Sequence, residues 1–406
     1  MGSKTVIIGA GAAGMACAGF ALRRGAEVTL LDKNARPGRK LQITGKGRCN
    51  VTNNCSPEEL IRHVHTNPRF LYSAFHAFSA QDTMELFESL GVPLKTERGN
   101  RVFPVSDQAV DIVKALKRFC GDAQFLQKAR ATEVLQQDGA VCGVRLEDGE
   151  RLPADAVVIA TGGMSYPLTG SDGDGYRLAG QLGHTVVPVR ASLVPVITRE
   201  NWCAELMGLS LRNVTLTLKN AKGKTVFSEL GEMLFTHFGV SGPLVLSASA
   251  YMDGNPSDYR MEIDLKPGLE EQQRDTRLLR DFEEARNRDC SNALDHLLPR
   301  KLIPVAVRLS GIPADTKVHS VTKEQRRSFV RLLKALPVTP AGFRPVDEAI
   351  ITAGGISVRE INPKTMESKR VRGLFFAGEV IDVDGFTGGF NLQIAYATAY
   401  LAAQSL

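Results

Sequence analysis

Residues 9–14 read GAGAAG, and Asp32 stands 18 positions beyond Gly14. Gly9 permits a tight turn, Gly11 removes a side chain where backbone must approach a pyrophosphate, and Gly14 lets a helix pack closely on a strand. A carboxylate about 20 residues on is placed to accept a hydrogen bond from a ribose hydroxyl. Near the other end, Glu379 follows Gly378 in LFFAGE, ahead of glycines 388 and 389 and a run of small and apolar residues. A strand-end carboxylate can bind a polyol, and a helix N-terminus stabilises negative charge such as that of a reduced flavin. Two side chains have proton-transfer chemistry in turn-rich contexts, Tyr166 in MSYPLTG and His237 in FTHFGVSGP. Cys49 and Cys55, six positions apart in GKGRCNVTNNC, raise a redox dithiol.

Three stretches must position these groups. KTVIIG at 4–9 is a β-branched strand, followed by a helix of small residues to Leu22, a stop at Arg23, Arg24 and Gly25, and a second strand, EVTLL, ending on Asp32. In AVCGVRLEDGERLPADAVVIATGG at 140–163, Asp148-Gly149 is a hairpin signal, and ADAVVIATGG is a buried strand running into a glycine turn. LFFAGE is a third strand, with a helix from the glycines to the terminus. Between 191 and 341 the pattern changes. ASLVPVITRE, LRNVTLTLKNAKGKTVFSEL and YRMEIDLKP alternate with period two, predicting an antiparallel sheet, while LEEQQRDTRLLRDFEEARNRDC and KEQRRSFVRLLKAL are amphipathic helices.

A chain of 406 residues exceeds the roughly 250–300 at which single cores split. The reading is therefore an α/β protein with a discontinuous domain at 1–190 and 342–406, interrupted by a β-plus-helical insert at 191–341. Fifty Lys and Arg against 44 Asp and Glu give +6, an imbalance that permits an anionic cofactor without demanding one. Seven scattered cysteines form neither a secreted disulfide framework nor a metal site, which predicts a reducing, cytoplasmic setting. No signal peptide, myristoylation pattern or membrane-length apolar run is present. A second GxGxxG is absent, so a nicotinamide donor would dock transiently rather than in its own Rossmann domain.

The strand-carboxylate-helix pattern around Glu379 resembles the second FAD signature of the glutathione-reductase superfamily, in which the acidic residue holds the ribityl chain. Longer motifs narrow the resemblance. PGRKLQITGKGRCNVTN at 37–53, RVFPVS at 101–106, ATGGMSYPLTGSDGDGY at 160–176, LFTHFGVSGP at 234–243, ITAGGISVREINPKTMES at 351–368 and GLFFAGEVIDVDGFTGGFNLQIAYATA at 373–399 are similar to a bacterial family of FAD-dependent, NAD(P)H-using oxidoreductases that includes a 3-dehydro-bile-acid Δ4,6-reductase. The resemblance spans nearly the whole chain. It implies a Rossmann-like FAD domain of the glutathione-reductase type. It places Gly9, Gly11, Ala13 and Gly14 at the pyrophosphate, Asp32 and Lys33 at the adenosine side, and Arg39, Lys40 and the loop of Gly45, Gly47, Arg48, Cys49 and Asn50 near pyrophosphate and flavin. Thr161 and Gly162, Gly378 and Glu379, and the helix start at Gly389, Phe390 and Asn391 complete the implied set.

The expected activity is hydride transfer from NAD(P)H through FAD to an electron-poor double bond of a small molecule such as a steroid-like enone, with Tyr166 or His237 as proton donor. Two rivals are a dithiol or quinone oxidoreductase and an FAD-dependent tRNA-modifying protein. On a helix, positions six apart point about 240° from each other, which opposes a Cys49–Cys55 bridge. Nucleic acid is the disfavoured partner, because the basic cluster Arg36, Arg39, Lys40, Lys46 and Arg48 is explained by an anionic cofactor and no RNA-binding module is present. The oligomeric state has no signature in the sequence.

Overall fold

The computed structural model describes residues 2–406. The chain divides into two compact units, one built from the residues up to Ser192 and from Pro345 onward, the other from Leu193–Arg344. The first unit is organised on a five-stranded parallel sheet in the order Leu374–Phe376, Ala156–Ile159, Lys4–Ile8, Glu27–Asp32, Gln124–Gln127. Its central strand enters the sheet through Ile8, opposite Ile159 on one side and Leu31 on the other. A parallel sheet is covered on both faces, which is why strands such as Ala156–Ile159 and Leu374–Phe376 read as unbroken apolar runs.

Two helices without a polar stripe, Ala12–Arg23 and Phe390–Gln404, pack on each other, so the two ends of the chain close one layer. Phe20 anchors this layer, with ring centroids 5.0 Å from Phe119, 5.2 Å from Phe78 and 5.1 Å from Tyr400, all edge-on. Close approach at the strand-to-helix turn depends on missing side chains. A Cβ on Gly14 would lie 1.8 Å from the Gly9 carbonyl oxygen, and Gly9 itself has φ +105°. The antiparallel strands Ala131–Gln137, Ala140–Leu146 and Arg151–Pro153 form the meander that feeds Ala156–Ile159, with Asp148-Gly149 in its second turn.

The second unit holds a seven-stranded antiparallel sheet, in which Ser210–Lys219 and Thr225–Thr236 are joined by the turn at 220–224. Its sheet core packs with Glu271–Glu284, Ile303–Ser310 and Lys323–Lys334 around residues such as Phe235, Leu278 and Phe329. The charged character of these helices includes buried groups. Arg274, 2% exposed, donates to both oxygens of Asp264 at 3.0 Å, and Lys334 reaches the same carboxylate. Val186–Ser192, at the edge of the predicted insert, pairs instead with Ile351–Ile356 in the first unit, because both are β-branched runs with complementary register. Among the described residues, no helix is long and apolar enough to cross a membrane.

Gly14→Ala therefore forces the strand and helix apart and is expected to lose on the order of 1–3 kcal/mol by overpacking. A Cβ at Gly11 meets nothing within 4 Å, so Gly11→Ala should stay within about 1 kcal/mol of wild type, a cap effect only. Urea unfolding of both variants checks this; equal loss in the two would contradict the packing account.

Candidate functional site

The parallel sheet delivers its strand ends to one edge, where Gly9, Asp32 and Glu379 lie. After Ile8 the chain turns at Gly9, whose N–H donates to the Leu31 carbonyl at 2.9 Å, and the helix begins at Ala12. The open space over Gly11 and the free N–H groups of a helix start form a cradle suited to a phosphate. Asp32 ends the next strand, 8% exposed, with Oδ2 accepting from the Ala10 N–H at 3.2 Å and Oδ1 from the Asn34 N–H at 2.8 Å. Burial raises its pKa, and those two backbone donors and Lys33 oppose the rise.

The basic residues are engaged by carboxylates. Lys33 lies between Asp172 and Asp174, and the latter also takes Arg130. Burial works against the Asp174 charge, yet Arg130 and Lys33 hold its carboxyl far below the usual range. Arg39 donates to Asn34 Oδ1 at 3.0 Å. Arg48 pairs with Glu97 and Asp107 and lies over the Phe103 ring, 4.2 Å from its centroid. Sequence reasoning assigned the basic cluster to an anionic cofactor because it lies beside the presumed pyrophosphate; it missed that Arg48 also has protein partners, since Glu97, Phe103 and Asp107 are remote in sequence.

Gly45, Lys46, Gly47 and Cys49 all have positive φ, so the loop is wound in the left-handed sense. That winding leaves Cys49 fully buried, and burial pushes its thiol up to about 12. Cys55 is half-buried and pushed up to about 11, by burial and by Glu59. Neither is an activated thiolate.

Glu379 draws together three remote segments. Its carboxylate accepts from Lys40 Nζ at 2.6 Å, from the Thr352 N–H at 2.9 Å and from Ser165 Oγ at 3.2 Å, and Lys40 also donates to Ser165 Oγ at 2.6 Å. Gly378, before it, donates its N–H to Thr398 Oγ1 at 2.9 Å. Gly389 caps the last helix at φ +102°, where a Cβ would lie 2.3 Å from the Thr52 carbonyl oxygen. Phe390 stacks on His63 at 4.4 Å, and Asn391 clamps the preceding turn through the Gly385 N–H and the Gly385 and Phe386 carbonyls.

Tyr166 follows Ser165 with φ +54° and ψ +57°. For an aromatic residue this is an outlier costing about 1–3 kcal/mol, the kind of strain that surrounding structure must enforce. Its phenol is half-buried and its pKa is raised by that burial and by Glu348. His237 belongs to the other unit, exposed in the turn between Thr225–Thr236 and Gly239–Ser241, with Phe238 edge-on at 5.0 Å. Ser165 and Thr352 were missed by sequence reasoning. Their only signal is a hydroxyl directly after ATGGM and one in ITAGG, both within motifs already marked by glycine.

Whether these residues fit FAD is tested by polar atoms left over. Asn50 Oδ1 and Thr161 Oγ1 are buried with no protein partner, in two of the segments implied to hold the cofactor. Together with the Gly11 cradle and the strand-end Asp32, they suit a long ligand with phosphates and hydroxyls. Among the described residues, no group of His, Cys, Asp and Glu could hold a metal ion.

Comparison with known proteins matches residues 3–405 to the family model described as HI0933-like protein Rossmann domain. A ribosomal RNA dihydrouridine synthase of Escherichia coli (strain K12) is 35% identical over 402 residues, covering 99% of this chain and 97% of that protein. A 3-dehydro-bile acid delta(4,6)-reductase of Clostridium scindens is 32% identical over 406 residues, with 98% of each covered. Among solved structures, the 3-ketosteroid-delta4-(5alpha)-dehydrogenase of Rhodococcus jostii RHA1 aligns with a TM-score of 0.56 at 15% identity over 99% of this chain and 96% of that one, a likeness of fold. The chain belongs to the HI0933-like family and is a FAD-dependent oxidoreductase.

The thiol environments carry a direct expectation. At pH 8, iodoacetamide should modify the exposed Cys142 promptly and spare Cys49, whose thiolate fraction is roughly one in ten thousand. Mass mapping of the labelled sites checks it, and labelling of Cys49 at the rate of Cys142 would contradict the burial.

Proposed function

We propose, on the premise of this family membership, that the chain reduces a carbon–carbon double bond conjugated to a carbonyl, with NADH or NADPH as transient donor. The observation that carries the reading is a half-buried, strained phenol, Tyr166, one residue from a hydroxyl that also contacts Glu379 and Lys40. FAD, when bound, would supply the two-electron hydride chemistry of this reduction.

The chain's own residues do the rest. Gly9 turns the chain so that the backbone N–H groups of Gly11, Ala13 and Gly14 would hold the pyrophosphate, and Asp32, flanked by Lys33, would hold the adenosine ribose. Asn50, with the backbone of Gly45, Gly47, Arg48 and Cys49, lines the flavin side, as do Thr161 and Gly162. Glu379 and Lys40 hold the ribityl chain next to Gly378, Arg39 adds positive potential near the phosphates, and the helix start at Gly389, Phe390 and Asn391 offsets negative charge. Tyr166 supplies the proton. Hydride enters at the β-carbon, the electron pair moves toward the carbonyl, the phenol protonates the α-carbon, and water returns a proton to the phenolate. A phenol suits this because its raised pKa keeps it neutral near pH 7. His237, exposed and in the other unit, is not assigned the proton.

The activities of the two relatives share this kind of bond. Dihydrouridine is uridine saturated at a double bond conjugated to a ring carbonyl, and a 3-dehydro Δ4,6 substrate is a conjugated dienone. A small-molecule enone is the first substrate reading. Uracil within RNA is the second, favoured by the higher identity of the dihydrouridine synthase, 35% against 32%.

Anaerobic assays of the holoprotein with NADH or NADPH test this against a 3-keto-Δ4 steroid and a uridine-containing ribosomal RNA. Saturation of one of them is expected, and Tyr166→Phe should lower kcat by about 10²–10⁴ with FAD content unchanged. Wild-type turnover in the Phe variant would remove the phenol from the mechanism. Reduction of the bound flavin by nicotinamide with neither substrate saturated would sink the reading.

A further inference from the structure

We propose that Thr352 is the positioning residue of this site, fixing the Tyr166 loop with its hydroxyl and Glu379 with its backbone N–H while taking no part in the chemistry. The inference rests on the reading of Tyr166 as proton donor. Thr352 lies in the strand Ile351–Ile356 and is 0% exposed. Its Oγ1 accepts from two consecutive backbone groups, the Met164 N–H at 2.7 Å and the Ser165 N–H at 3.1 Å. Its own N–H donates to Glu379 Oε1 at 2.9 Å. One residue thus joins the loop that precedes Tyr166 to the carboxylate that anchors Lys40.

The loop needs such a clamp. Two pinned amides set the direction in which the chain enters Tyr166, and on the far side the Thr169 N–H closes onto the Tyr166 carbonyl at 2.8 Å. Between these ties the left-handed conformation of Tyr166 is held without help from a glycine. Ser165 strengthens the same clasp, donating to Glu379 and accepting from Lys40. Gly163 shows how closely the loop is drawn in: a Cβ there would lie 2.5 Å from Thr352 Oγ1, 2.7 Å from its Cβ and 3.1 Å from Glu379 Oε1. The residues that meet at Thr352 come from the loop at 163–166, the strand at 351–356, Glu379 and Lys40. Nothing but the hydroxyl oxygen can accept from both amides, so threonine's shape without its oxygen is insufficient.

The test uses full-length holoprotein with Thr352→Val, which keeps shape and removes the acceptor, and Thr352→Ser, which keeps the acceptor. Three readouts are followed: FAD dissociation by fluorescence titration, the Tyr166 phenol by ultraviolet difference titration against Tyr166→Phe, and kcat and KM across pH. In the Val variant FAD binding should weaken about tenfold or more. The phenol should titrate at lower pH as the loop loosens and the ring gains water, and kcat should fall with KM little changed. Ser should restore all three. A folded Val variant with wild-type FAD affinity and phenol titration overturns the proposal, as does a Ser variant no better than Val. If Thr352→Val does not fold, Gly163→Ala, which pushes the loop off the same oxygen, takes its place with the same expectations and the same overturning result. The first two readouts need no substrate, so they stand even if the proposed reduction fails.

Discussion

A carboxylate that is largely withdrawn from water must be met by donors, and Glu379 is where this requirement organises the protein. Its side chain is 21% exposed, and its partners arrive from three remote segments: Lys40 from the helix Arg39–Ile43, Ser165 from the loop after Ala156–Ile159, and Thr352 from a strand that follows the insert. Leaving such an acceptor unpaired is destabilising by roughly 1–3 kcal/mol, more for a charge. Each segment therefore has its position set by the same two oxygens. The insert between Ser165 and Thr352 is free to be large because this clasp, rather than chain proximity, brings the two together.

The sheet presents Glu379 at the right place. Gly9, Gly14 and Gly378 are positions where backbone or a neighbouring helix comes within contact distance, and the two buried helices from opposite ends of the chain lie against each other above the strands. A site made from both termini gains rigidity from the parallel sheet and specificity from loops at its strand ends, the usual division of labour in open α/β sheets. The strained Tyr166 fits that division: a stiff strand supplies Thr352, and the loop is bent onto it.

Legibility in the sequence followed whether a feature leaves a local mark. The turn at Gly9 and Gly14, the strand-end Asp32 and the strand-end Glu379 were readable because close backbone approach demands glycine and strand ends expose carboxylates. The antiparallel insert was readable from period-two alternation. Tertiary pairing was not. Lys33 and Arg48 have carboxylate partners, Asp172, Asp174, Glu97 and Asp107, that nothing local in the sequence announces. Cys49 sits in the motif that best marks the family, yet a positive φ turns its thiol into the core. Ser165 and Thr352 are small hydroxyls 187 residues apart whose meaning exists only once they touch.

The central claim is that hydride reaches the carbon β to a carbonyl while the proton at the neighbouring carbon comes from an acid in equilibrium with water. It is tested most directly by isotope placement. Turnover in ordinary water with nicotinamide deuterated on its transferable face should give a product with deuterium at the β-carbon and protium at the α-carbon, resolved by nuclear magnetic resonance. Turnover in heavy water with unlabelled nicotinamide should reverse the pattern. Deuterium from the nicotinamide at the α-carbon, or β-carbon label drawn from solvent under conditions where flavin exchange is slower than turnover, would contradict the account.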